Sequence, residues 1–86
     1  MKDWMAIYDV LVKHAGADAR DREQFYYAHT IAPGCTEFRF CGNLGFGGKY
    51  RSERNVVDCY REDETPERLA IIAATNAALA QLEKKS

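Results

Sequence analysis

Apolar residues recur at helical spacing near both ends of this chain and at strand spacing in its middle. Trp4, Ile7, Tyr8, Leu11 and Ala15 fall at i, i+3, i+4, i+7 and i+11, with Lys2, Asp9 and Lys13 opposite. Asp3 to about His14 therefore reads as an amphipathic helix. Asp3 can cap its start, and Gly16 can end it in a left-handed conformation. Asp18 to about Ile31 predicts a second helix, with Asp18 as N-cap and Asp21 and Glu23 in the first turn, where the helix dipole favours acids. Its apolar stripe is weaker: Ala19, Phe25, Tyr26 and His29 share a side, whereas Tyr27 and Ile31 point elsewhere. Ala32-Pro33-Gly34 stops it.

The period then changes to two. Thr36 to Cys41 alternates, with Phe38 and Phe40 on one face and Glu37 and Arg39 on the other. Gly42 to Gly48 interrupts with four glycines in seven residues. Lys49 to Glu53 resumes a strand, Arg54-Asn55 makes a tight turn, and Val56 to Arg61 is the third strand. Asp58 favours Val57 and Cys59 as its core-facing pair over Val56 and Tyr60.

The last helix has the clearest signals. Thr65-Pro66-Glu67 places a capping hydroxyl, a proline at the first helical position and an acid in the first turn. Ile71, Ile72, Thr75, Leu79 and Leu82 form one stripe with Leu69 at its edge, and Ala70, Ala74, Ala77, Gln81 and Lys84 lie opposite. The expected fold is α+β: two N-terminal helices, a three-stranded antiparallel sheet, and a C-terminal helix packed on one sheet face. The other face is left to solvent.

Length and composition narrow this further. The chain has 86 residues, 47% hydrophobic and 29% charged, which suits a single globular domain over 1–86 and argues against disorder. Net charge is −1, so neither polyanion binding nor DNA mimicry is written in the totals, and either must rest on a local patch. Cys35, Cys41 and Cys59 are odd in number and lack a CxxC spacing, which points to free thiols in a reducing compartment. The start shows no signal-peptide pattern and no stretch approaches a membrane span. The expected location is the cytoplasm.

Candidate chemistry is sparse. The Gly42–Gly48 loop offers unhindered backbone N–H groups that could cradle an anion, with Lys49, Arg51 and Arg54 just beyond. A strand follows it, however, where phosphate-binding glycine motifs open a helix, so a hairpin loop or bulge is the plainer reading. Phe46 is either a plug over the core or an exposed contact residue. Arg39, Lys49, Arg51, Arg54 and Arg61, with Tyr50 and Tyr60 interleaved, could suit a nucleic-acid backbone; Glu37, Glu53 and Asp58 would instead neutralise them as cross-strand pairs. Glu62-Asp63-Glu64 with Glu67 reads as a solvated acidic loop before a helix N-terminus. The cysteines with His14 or His29 lack metal-ligand spacing, and His29 reads as a satisfied core histidine. With two histidines, no nucleophile elbow and no carboxylate pair forced together, no catalytic residue, metal or cofactor is expected.

The helix–three-strand–helix order resembles a double-stranded-RNA-binding domain. That family places lysines at the start of its last helix, where this chain carries Glu62-Asp63-Glu64-Thr65-Pro66-Glu67; acids there would repel phosphate, so membership is rejected. The stretches Phe38-Arg39-Phe40-Cys41-Gly42-Asn43-Leu44-Gly45-Phe46-Gly47-Gly48-Lys49 and Asp58 to Arg68 resemble small uncharacterised proteins encoded by bacteriophages and prophages. The resemblance covers roughly the C-terminal half. It implies a viral accessory protein in the bacterial host cytoplasm, and compact inhibitors such as anti-CRISPR proteins are similar in size and in lacking enzyme motifs. The expectation is a binding protein that occludes a host protein or ribonucleoprotein complex, a CRISPR effector being the leading target. Its contact patch would be Arg39, Phe46, Lys49, Tyr50, Arg51 and Arg54. The alternative is a nucleic-acid-binding accessory protein using the basic sheet face. Oligomeric state stays open.

Overall fold

The computed structural model describes residues 2–32, 34–40 and 46–85. Helix α1 spans Trp4–Ala15, capped by the Asp3 carboxylate, which accepts from the Ala6 N–H at 3.0 Å, and closed by Gly16 at φ 71°. The predicted second helix divides. A 3-10 turn at Ala19–Asp21, held by Asp18, precedes α2 at Arg22–Ile31. Asp18 spends its side chain on Arg20, whose hydrogen bonds, and after them its charge, pull the carboxyl down to about 2. The cap therefore serves the 3-10 turn, and the α-helix starts four residues late.

Strands β1 (Cys35–Phe40), β2 (Phe46–Arg51) and β3 (Val56–Cys59) form one antiparallel sheet in the order β1-β2-β3. A 3-10 turn at Arg61–Asp63 leads into α3 at Pro66–Lys85, whose start is capped by Thr65 Oγ1, an acceptor for the Arg68 N–H at 3.1 Å. The fold is α+β, with α3 against the sheet. No helix among the described residues is long and apolar enough to cross a membrane.

Strand β2 begins at Phe46, three residues before the predicted start, so the last two glycines of the glycine-rich stretch are strand residues. Its burial alternates: Phe46, Gly48 and Tyr50 point inward, and Gly47, Lys49 and Arg51 point outward. One hydrophobic cluster joins Phe46 and Tyr50 to Phe40 and Val57 of the sheet, to Trp4, Ile7, Tyr8, Leu11 and Ala15 of α1, to Phe25 of α2 and to Leu79 of α3. The inner face is dense enough to dictate residue size. A β-carbon on Gly48 would lie 1.7 Å from the Phe40 ring, so only glycine lets that ring lie across β2.

Two polar devices tie α3 to the sheet. The Asn76 carboxamide accepts from the Val57 N–H at 2.7 Å and donates to the Val57 carbonyl at 3.1 Å, pairing with β3 where a fourth strand would otherwise sit. Asn55, at φ 55° in the β2–β3 turn, accepts from the Tyr50 hydroxyl at 2.8 Å and donates to the Leu79 carbonyl at 3.2 Å. Asparagine suits both tasks there, since it tolerates the left-handed region and carries a donor and an acceptor.

Candidate binding surface

The helices cover one face of the sheet, and the other is the candidate surface. The expected contact residues divide between the two. Lys49 and Arg51 lie on the outer face with Arg39, which is exposed, and Arg54 is exposed in the β2–β3 turn. Phe46 and Tyr50 do not belong to that surface. Phe46 is 6% exposed and stacks on Phe40 at 4.6 Å, while the Arg68 guanidinium lies over its ring at 4.7 Å. It is the plug, not the anchor. Tyr50 is 0% exposed and meets Phe25 and His29 edge-on, each at 5.5 Å. The reason is parity: Tyr50 sits between two outward charges, and a strand turns alternate residues to opposite faces.

The outer face is built in cross-strand rows. Register places Glu37 opposite Lys49 and Lys49 opposite Asp58, so a cation stands between two carboxylates. The Arg51 guanidinium donates to Asp58 at 3.3 Å. Tyr60 lies across Gly47, where a β-carbon would come within 3.0 Å of its ring, and its hydroxyl donates to the Glu37 carboxylate at 2.7 Å. That bond, followed by burial, raises the Tyr60 pKa. Lys49 Nζ rests 5.2 Å from the Tyr60 ring centre. The face is thus a layer of both signs, organised around a tyrosine, with a shallow cleft of about 330 Å³ between Glu37, Arg39, Gly47 and Tyr60.

Sequence reasoning missed Arg68, which lies over Phe46 and donates to the Asp63 carbonyl at 2.7 Å. Its position after a proline-started helix carries no such signal. The anion cradle expected at Gly42–Gly48 falls mostly outside the described residues; Gly47 and Gly48 are in the ladder, opposite Arg39 and Phe38. Cys41 also lies outside them. Cys35 is exposed and Cys59 half-buried, with the Cys59 thiol pushed up by burial and by Glu64 and Asp63. Among the described residues no three His, Cys, Asp or Glu side chains gather in a metal-binding group.

His29 is a core histidine, as expected, but not a satisfied one. It stacks on Trp4 at 5.0 Å and shares a hydrogen bond between Nε2 and Thr36 Oγ1, while its buried Nδ1 has no partner among the described residues. Burial, then the Lys2 charge, lowers its pKa.

Comparison with known protein families, with curated proteins and with solved structures finds no match to this chain.

Proposed function

We propose that this chain is a phage-type binding protein that works in a bacterial host cytoplasm, without catalysis, by laying its outer sheet face over a host protein or protein–nucleic-acid machine. A CRISPR effector is the leading target. The observation that carries the reading is the open face itself: Arg39, Lys49 and Arg51 alternate there with Glu37 and Asp58 around Tyr60. Mixed signs at fixed spacing complement a protein surface of mixed charge, whereas a polyphosphate chain would meet two carboxylates beside Lys49. A three-stranded sheet braced by helices holds these side chains with little ordering cost on binding. Arginine and tyrosine are also the residue types that most often anchor such interfaces. The phage-like stretches of the C-terminal half supply the biological setting.

The test is a plaque assay on a bacterial host whose CRISPR system targets the infecting phage. Expression of the chain restores plaques, and R51A combined with R54A removes that effect while the fold, followed by circular dichroism, is retained. Affinity capture of the effector weakens at least about tenfold in the double variant. Unaltered capture, or no rescue by the unmodified chain, sinks the reading. Binding to plain DNA or RNA that weakens steeply as salt rises would transfer the role to nucleic acid.

A further inference from the structure

Strand β1 is an edge strand, and among the described residues its outer side is open. Ser52 N–H donates to the Gly34 carbonyl at 2.9 Å, and Thr36 stands opposite Tyr50, whose own partner Val57 turns its backbone groups away to Asn76. Ladder parity then points the N–H and C=O groups of Thr36 and Phe38 at β2 and those of Cys35, Glu37 and Arg39 outward. Among the described residues nothing bonds to the outward set. The opposite edge of the sheet is covered by Asn76; this one has no equivalent among the described residues.

The neighbouring helix face exposes apolar side chains beside a groove of mixed polarity. A groove of about 260 Å³ runs between α2 and β1, lined by Asp21, Gln24, Phe25, Ala28, Glu37 and Phe38 among others. Tyr27 is 68% exposed and Ile31 64%, and helical spacing puts both beside Gln24 and Ala28 on the groove side of α2. Among the described residues these are the two most exposed large hydrophobic side chains. Apolar exposure gathered next to a free strand edge marks an association surface rather than scatter.

Charge decides the occupant. We infer that β1 pairs antiparallel with β1 of a second copy of this chain, Phe38 standing opposite its own counterpart on the two-fold axis. In that register Glu37 faces Arg39 of the second copy, and Arg39 faces Glu37, so two ion pairs form on the outer face. The same residues exchange N–H···O bonds, because theirs are the outward groups. Sliding to centre Glu37 or Arg39 on the axis sets like charges directly opposite, which disfavours pairing. An edge that repels itself in the neighbouring registers and attracts itself in one is a self-complementary, two-fold interface. The two apolar α2 rims then meet above the joined sheet, and the two outer faces merge into one larger surface. This association is independent of which host partner that surface meets.

Sedimentation equilibrium on the full chain up to millimolar concentration tests it. The unmodified chain is a dimer at the upper concentrations. R39E, which sets glutamate against glutamate at both pairs, weakens dimerisation about thirtyfold. E37R does the same with arginine against arginine. E37R combined with R39E restores the pairs with exchanged signs and recovers the dimer. Hydrogen exchange at the Glu37 and Arg39 amides slows with rising concentration in the unmodified chain and in the double variant alone. A chain that stays monomeric to millimolar concentration overturns the inference, as does a dimer indifferent to R39E or a double variant that stays monomeric while folded.

Discussion

Asn76, on the last helix, holds the backbone of Val57 in β3 through both ends of its carboxamide, at 2.7 and 3.1 Å. A side-chain amide has the donor and acceptor of a peptide group, so it substitutes for one residue of a missing strand. Replacing it by alanine strands a backbone N–H and a carbonyl at a half-buried position. N76A is expected to lower stability by about 2 kcal/mol, read from the urea midpoint. N76D keeps the acceptor but faces the Val57 carbonyl with a carboxylate, so it should recover little. A loss below about 0.5 kcal/mol in N76A would mean that water replaces the amide at no cost.

Gly47 and Gly48 are adjacent, yet the same substitution should act very differently on them. A methyl on Gly48 collides with Phe40, whose ring is boxed in by Phe46 and Phe38 at 4.6 Å each and has no exposed direction to move in. A methyl on Gly47 meets the surface ring of Tyr60 at 3.0 Å, and that ring can swing outward. G48A should cost about 3 kcal/mol, the upper end for overpacking, and G47A less than about 1. Equal losses would show that the Phe40 ring has an alternative site.

These two glycines also mark where the fold was legible in the chain and where it was not. Order and type of the helices and strands follow from periods, caps and Pro66, and the structure keeps them all. The start of β2 was missed because Phe46-Gly47-Gly48 carries a loop composition, and glycine there answers to Phe40 and Tyr60 pressing on opposite faces. That requirement is tertiary and invisible locally. The inward direction of Tyr50 is legible locally, since charges at 49 and 51 turn it to the core by alternation. Phe46 had no such neighbours, and Arg68 over its ring follows only from packing. The capping error at Asp18 has a local cause, since Arg20 captures the carboxylate that was expected to start α2.

The buried polar chain from Tyr50 through Asn55 to Leu79 predicts a specific asymmetry. Y50F removes one hydroxyl and leaves the Asn55 carbonyl oxygen without its donor, at a cost of about 1–2 kcal/mol. N55A costs more, about 2–3 kcal/mol, because it strands the Tyr50 hydroxyl, removes the amide bond to the Leu79 carbonyl and also places alanine at φ 55°. N55G removes the backbone strain while keeping both polar losses, so it should fall between the two. The urea midpoints of the three variants check the order. If N55G matches N55A, backbone conformation contributes nothing at this turn.

Stability should fall on both sides of neutral pH, for separate reasons. His29 has a lowered pKa in the fold, from burial first and Lys2 second, so the folded chain resists a proton that the unfolded chain accepts near 6.5. Its stabilising effect is complete above that value and is lost as pH falls through 6.5 towards the folded pKa, with a slope of at most about 1.4 kcal/mol per pH unit. Tyr8 behaves oppositely. Burial, then Asp21 and Asp18, pushes its hydroxyl from 10.0 up to about 12, so its effect is complete below 10 and is lost as pH rises from there to about 12. Burial raises Tyr50 likewise, which steepens the alkaline side. Urea midpoints measured from pH 5 to 11 should therefore form a plateau between the two limbs. H29Q should flatten the acid limb between pH 5 and 6.5 and leave the alkaline limb unchanged, while Y8F should do the reverse. Because Nδ1 of His29 has no partner among the described residues, H29Q should cost less at pH 8 than a fully bonded buried histidine would. An acid limb that persists undiminished in folded H29Q would assign it to other groups and remove His29 as its source.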